Sequence, residues 1–364
     1  RFYVDRTDRR ALLARAAIDT ALALDPDLPT AHLALGLYHY WGPQPDRELA
    51  LQEFKHVAER EPNNAYARTL IAVLQATRGE WDEAVENASL AVELDPREPE
   101  WAVNAGVFHL LTRRYQESER YLDLALELAP DLAEAHSAKI SLHLSWQGDT
   151  VRANEMVLEM LRHATPGQVA LALVQAAPEL IVGGSHDSIF EALTPGSFSG
   201  PLPFDYLQAK AEFYRLRNRA ELSRAYYDSL AAAARETPAN PGDPVVAMVL
   251  GRAYAALGDR SLALRQAGLL ESDLLRYDDA LRDIGVREDL VWIYAVLGED
   301  DAAIDHLETL LEVPSLVSVP YLRIAVIPGT VRQRPRFRAL TVDMASAVDA
   351  TAGVTRARLA GLSR

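Results

Sequence analysis

The chain has no cysteine in its 364 residues, so disulfides, thiolate metal sites and cysteine nucleophiles are all excluded. Lysine is almost as scarce: Lys55, Lys139 and Lys210 are the only ones, and every other basic residue is arginine. That bias reflects an arginine-favouring genome more than a ligand. Against 37 Lys and Arg stand 52 Asp and Glu, giving a formal charge of −15. Such acidity argues against nucleic-acid binding, which rests on clustered basic residues over phosphates. No apolar run approaches the roughly 20 uncharged residues that cross a bilayer, so no membrane span is expected. Compartment stays open between the cytoplasm and the extracytoplasmic part of a membrane-anchored protein. The chain starts at Arg1 with neither Met nor a charged-then-apolar leader, and is expected to be a portion of a longer product.

Catalytic signatures are missing as well. There is no phosphate-cradling Gly-x-x-x-x-Gly-Lys-Ser/Thr, no His-Glu-x-x-His and no His-Arg-Asp loop. Gly196 to Gly200 places Phe198 where a nucleophile elbow needs Ser, and it is expected to be a turn. Ser185, His186 and Asp187 are neighbours in sequence, whereas a relay needs separate segments to converge. His32 and His39, like His136 and His143, lie seven residues apart, not the three or four that let two imidazoles share an ion. Those histidines are expected to pack between helices. Asn87-Ala-Ser89 is a glycosylation sequon falling on an expected helix. No catalytic residue, metal site or cofactor is assigned.

What the sequence does have is a period. Pro62, Pro96 and Pro130 are 34 residues apart, and Ala65 to Pro96 and Pro99 to Pro130 are two copies of one pattern closing on Leu-x-Pro. A fixed repeat of this length marks stacked helical hairpins that cannot bury their apolar faces alone. Small residues at Ala72 and Gly106, and at Ala84 and Ser118, fall where paired helices must approach most closely. The pattern starts with a helix over Asp8–Leu24, then Thr30–Tyr40 with Arg47–Glu61, and continues through Ile140, Gly148 and Ala153. Val169–Val182 reads as one further helix, and Gly183–Pro203 as a breaker-rich connector with one helical turn at Asp187–Leu193. Pairs resume at Tyr206–Arg217 with Ala220–Arg235, Val245–Leu257 with Ser261–Leu274, and Arg287–Leu297 with Asp300–Glu312. Gly258 and Gly298 suit left-handed turns, and Pro238–Pro244 reads as an extended connector.

Leu35-Gly36, Ala50, Phe54 and Pro62, repeated in register, resemble the tetratricopeptide repeat, with Arg68 and Ala102 departing from its aromatic fourth position. The resemblance implies an all-α, right-handed superhelix of helical hairpins in two arrays. The expected division is 1–182 for the first array, 183–203 for the connector, 204–325 for the second array and 326–364 for a closing segment with a basic tail. Leu322-Arg323 and Pro335-Arg336-Phe337-Arg338-Ala339-Leu340 resemble the end of tetratricopeptide regions attached to bacterial serine/threonine kinases, nucleotide cyclases and winged-helix regulators; Ala325–Thr330 does not match. Arg332, Arg334, Arg336, Arg338, Arg356 and Arg358 make this end basic, for docking on a neighbouring acidic surface, on anionic lipid or on the chain's own acidic repeats.

In such an array the first helix of each pair lines an inner groove at its second, fifth, ninth and twelfth positions. For the first array the resemblance places Thr30, Leu33, Leu37 and Tyr40; Tyr66, Thr69, Val73 and Ala76; and Glu100, Val103, Val107 and Leu110 there. The family's carboxylate clamp needs Lys, Asn and Arg at such places, and only Asn104 is of that kind. The candidate partner-binding residues are therefore Leu33, Leu37, Tyr40, Tyr66, Thr69, Val73, Val103, Asn104, Val107 and Leu110, taking a protein or peptide with an apolar helix or extended segment. The implied function is a non-catalytic protein-interaction module, the regulatory or sensory part of a bacterial signalling protein. Two alternatives stay open: a free-standing scaffold in an envelope or multiprotein assembly, and an enzyme with an unrecognised site between the arrays.

Overall fold

In the computed structural model, residues 8–198, 204–237, 243–276 and 279–341 are described. Among them every regular element is helical. Arg356 and Arg358 of the basic tail, and most of the 238–244 connector, lie outside the described residues.

The first run opens with α1 (Asp8–Leu24), which covers α2 (Pro29–Trp41) on one side only. Ile18 is its buried residue, whereas Leu12 and Leu24 are 70% and 84% exposed. Hairpins come next: α2 with α3 (Arg47–Arg60), α4 (Ala65–Thr77) with α5 (Trp81–Leu94), α6 (Pro99–Leu111) with α7 (Tyr115–Leu128), and α8 (Ala133–Gln147) with α9 (Thr150–Met160). Their entrances are set locally. Pro occupies the first turn of α2 and α6, where its missing N–H costs nothing, and Asn64 accepts from Ala67 N at 2.9 Å to cap α4.

Apart from the longer link between α2 and α3, the turns between paired helices need one residue in the left-handed region. Gly79, Gly148, Gly258 and Gly298 supply it at φ of 66 to 83°, and Arg113 and Asn218 take the same place at 59° and 54°. The tight positions behave as the register requires. A Cβ added to Gly106 would lie 2.7 Å from Leu122, and Ser118 Oγ donates to the Gly106 carbonyl at 2.8 Å. Ala72 and Ala84 are fully buried. Where the repeat's usual aromatic is replaced by Arg68, a polar contact substitutes: its guanidinium donates to Asn87, the sequon asparagine, which in turn donates to Gln75.

Beyond α9 the expected single helix over 169–182 is two, α10 (Pro166–Ala176) and α11 (Pro178–Val182), because Pro178 drives Ala177 out of the helical region to φ −147°. The connector after them holds α12 (Asp187–Ala192), whose Phe190 is buried and stacks on Phe213 with centroids 4.7 Å apart. The second run comprises α13 (Phe204–Leu216) with α14 (Ala220–Glu236), α15 (Pro244–Leu257) with α16 (Arg260–Arg276), and α17 (Ala280–Leu297) with α18 (Asp300–Glu312). Helix α17 starts seven residues before the expected Arg287, capped by Asp279, which accepts from Arg282 N at 3.0 Å.

The superhelix then turns back on itself. A single core contains Ala72, Ala84 and Phe108 of the first run together with Tyr227, Leu250 and Leu290 of the second. Arg47 pairs with Asp279 at 2.6 Å, joining α3 to the start of α17. Past α18 the chain crosses onto the first run: Ser315 N donates to the Leu111 carbonyl at 3.0 Å and Ser145 Oγ to the Leu316 carbonyl at 2.8 Å. The Arg113 guanidinium donates to the carbonyls of Leu310, Leu311, Val313 and Val317, all within 3.0–3.2 Å. A short helix, α19 (Val319–Ile324), lies against α8. The basic end docks on the chain's own acidic surface: Arg334 on Asp300 at 2.7 Å, Arg336 on Asp305 and Glu308 at 2.6 Å each, with Phe337 buried as the anchor.

Candidate functional site: the inner faces and the cavity they enclose

The inner positions of the first run divide into three settings. Leu33, Leu37 and Tyr40 are half-buried against the core of α3 and α4. Tyr66 is 37% exposed and stacks on Trp101 at 5.7 Å, while Val73 is half-buried and Thr69 is buried with its hydroxyl on the Ala65 carbonyl. Val103 and Leu110 are buried; Val107 and Asn104 are half-buried. Val107 and, from the returning segment, Leu316 both pack on the core cluster that holds Leu110. The C-terminal part of this groove is therefore filled by the chain itself, and the partly open apolar positions are those of α2 and α4.

The same rule of positions, applied one run further on, selects a different chemistry. In α13 it gives Asp205, Gln208, Glu212 and Arg215; in α15, Val245, Met248 and Arg252; in α17, Gly285, Glu288 and Trp292. The register is fixed by Ser223 Oγ, which donates to the Ala211 carbonyl as Ser118 does to Gly106. Most of these residues line one cavity of about 540 Å³, closed by α8, α10 and the segment Leu316–Pro328. They escape a reading of the groove positions confined to the first run. The signal is nevertheless in the sequence: an Arg, a Glu and a Trp at inner positions of two otherwise regular repeats.

At the wall of the cavity Arg252 donates to Asp289 at 2.8 Å and to Glu212 at 3.2 Å, and Arg215 holds the other Glu212 oxygen. Arg252 also lies over the Trp292 ring, 4.7 Å from its centroid, with Arg215 at 5.4 Å. Two guanidinium groups and two carboxylates thus neutralise one another across the indole face. Glu288 stands outside that network. Its free surface faces the cavity, and among the described residues it has neither a hydrogen-bond nor an ion-pair partner. Glu288 is itself solvent-exposed; the protein crowding the concave face around it, with the Asp289 charge beside it, pushes its carboxyl up to about 7, Arg252 opposing. Glu179, on α11, is likewise pushed up to about 7 by burial, and both its carboxylate oxygens are buried without a partner. Burial raises the Tyr321 hydroxyl too, as do the charges of Glu179 and Glu288.

The histidines are absorbed by packing. His32 Nε2 and His136 Nε2 each lie 2.8 Å from the carbonyl of the proline closing the preceding unit, Pro26 and Pro130. His186 Nε2 contacts Asn154 at 2.8 Å, which ties α12 to α9 and leaves it no part in a Ser185–Asp187 relay.

Paired helices closed by a left-handed turn recur in every hairpin from α4–α5 to α17–α18, with small-residue contacts between the partners. The described residues fold as a solenoid of helical hairpins of the tetratricopeptide type. No protein-family model and no curated protein matches it. Among solved structures it is similar to Pseudomonas aeruginosa PilF at 20% identity, over 67% of this chain and 90% of that one, with a TM-score of 0.37. It is also similar to a tetratricopeptide repeat protein from Parabacteroides merdae at 12% identity, covering 74% and 87%, with a TM-score of 0.35. Yeast Tom70 is similar at 14% identity, over 85% of this chain and 56% of that one, with a TM-score of 0.40. All three likenesses are partial, and the assignment to the repeat rests on this solenoid's own turns and contacts.

Proposed function

We propose that the chain is a non-catalytic protein-interaction scaffold whose partner lays an apolar helix or extended segment on the inner face of α2 and α4. The observation that supports this reading is the row Leu33, Leu37 and Tyr40, half-buried and continued by Val73 and by exposed Tyr66 stacked on half-buried Trp101. Apolar groups left partly open along a concave helical face suit an amphipathic partner read at i, i+3 and i+4. Thr69, Val103, Asn104, Val107 and Leu110 extend the same face and would frame the partner more than touch it. The finer reading, that the scaffold regulates a bacterial signalling protein, is supported by the resemblance of Leu322-Arg323 and Pro335–Leu340 to closing segments of such regions. The boundaries at 183, 204 and 326 belong to this proposal as well.

Selection of displayed peptides on the full chain tests it. The expected outcome is enrichment of amphipathic sequences with an apolar face, whose binding is lost in the Leu37→Glu, Tyr66→Glu double variant while far-ultraviolet circular dichroism is unchanged. Binding that survives both substitutions moves the site away from α2 and α4.

A further inference from the structure

The cavity between the two runs is a site of its own, and what it binds is independent of any partner on α2 and α4. Its walls are mainly apolar: Leu144, Val249, Trp292, Leu316, Tyr321 and Ile327. Its lining reaches from buried Leu310 and Leu322 to exposed Gln175 and Val245, so it opens to solvent on one side. A volume of about 540 Å³ is that of a small-molecule site.

Charge decides what such a site takes. The polar groups around it are Asp205 and Gln208 from α13, Arg252 from α15, Glu288 and Asp289 from α17, Ser141 and Ser145 from α8, Gln175 from α10 and Tyr321 from α19. Among the described residues Arg252 is the one cation in the lining, and it is spent on Asp289 and Glu212. An anion entering the cavity would face Glu288 with no uncommitted cation among the described lining residues to receive it. Glu288 is open to solvent, and a neutral ligand seated against it would displace that water without supplying a counter-charge. We propose that the cavity binds a small organic cation, an ammonium or guanidinium group on an apolar body, with the cationic head on Glu288 and the body against Trp292, Tyr321 and the aliphatic wall. Such a cation supplies the counter-charge that Glu288 lacks among the described residues. Because the cavity is closed by the segment that crosses to α8, a bound ligand also bridges the two runs.

Isothermal titration calorimetry of the full chain with phenethylammonium, 2-phenylethanol and 3-phenylpropionate tests the proposal. At pH 8 the ammonium is expected to bind at least tenfold tighter than the alcohol, and the carboxylate not at all. Glu288→Gln is expected to reduce that preference to near unity while leaving alcohol binding intact. The preference should also shrink below pH 7, as the raised Glu288 carboxyl takes up its proton. Equal binding of ammonium and alcohol, preference for the carboxylate, or an ammonium preference that survives Glu288→Gln would each overturn the proposal. If Glu288→Gln fails to fold, Met248→Trp is the second variant: by filling the cavity from α15 it must abolish binding of the ammonium, and retained binding would place the ligand elsewhere. Absence of all binding at millimolar ligand in the wild-type chain would overturn it as well.

Discussion

Helices α4 and α6 put Tyr66, Thr69 and Val73, and Val103, Val107 and Leu110, on their inner faces; α13, α15 and α17 put Asp205, Gln208 and Glu212, Met248 and Arg252, and Glu288 and Trp292 at the same register. The backbone scaffolds are alike: the same small-residue contact, the same left-handed turn, and a serine hydroxyl on a facing carbonyl in both runs. The difference teaches that the repeat constrains the contacts inside a hairpin and leaves the inner positions free. An apolar inner face can be satisfied by any apolar cover, and here Leu316 supplies part of it. A charged inner face needs each charge matched, and Glu288 at the cavity wall is left without a partner among the described residues.

That comparison breaks most severely at Arg252. Replacing it with Met leaves Asp289 and Glu212 facing each other without their shared guanidinium, and removing one partner of a buried ionic cluster costs about 3–5 kcal/mol. Urea unfolding should show a loss of that order, with no counterpart among apolar swaps of similar volume at Val73 on the opposite face. A change below about 1 kcal/mol would mean that the carboxylates have another source of charge, and the contrast between the two faces would fail.

Glu179 sharpens the contrast with pH. Its carboxyl is raised to about 7 in the folded chain, above the ordinary value near 4.5 that it has when unfolded. Below about pH 4.5 the group is protonated in both states and contributes no penalty. As pH rises towards 7 the unfolded chain ionises first, so folding stability is progressively lost, by an upper figure on the order of 3 kcal/mol. Glu179→Gln removes this dependence. The variant should be more stable than the wild type at pH 8, with the difference disappearing towards pH 4.5; a pH-independent difference would assign the effect to packing alone.

The fold was legible because its determinants are local and periodic. Gly36 and Gly106 sit where a Cβ would meet Phe54 and Leu122 of the paired helix, and Gly251 where it would meet Ile293 of the next hairpin, so their spacing carries the packing geometry directly. The break at Pro178 was legible in principle, since a proline disfavours the helical conformation of the residue before it, but the apolar run on both sides masked it. The first-run inner face was readable as positions, and its partial cover was not, because Leu316 and Ser315 reach it from the far end of the chain. The charged cavity was readable by the same positional rule. What no local pattern could supply is that Glu288 lacks a partner, which depends on which side chains α8, α10 and α19 bring opposite.

Arg113 is the smallest and most discriminating test, because it holds a left-handed turn of the first run with a side chain that binds the segment returning from the second. Gly258 and Gly298 hold the left-handed conformation freely, whereas Arg113 holds it with a side chain that clamps four carbonyls between Leu310 and Val317. Arg113→Ala loses the clamp and keeps the backbone cost; Arg113→Gly loses the clamp and relieves a cost of about 1 kcal/mol. Both variants should show faster hydrogen exchange at the Ser315 and Val317 amides, and the Gly variant should be the more stable by about that 1 kcal/mol. If the two variants are equally stable, the left-handed turn at Arg113 carries no strain. Unchanged exchange in both would mean that the serine contacts at Leu111 and Ser145 hold the crossing segment without the guanidinium, and that the turn residue is free to vary as it does at Asn218.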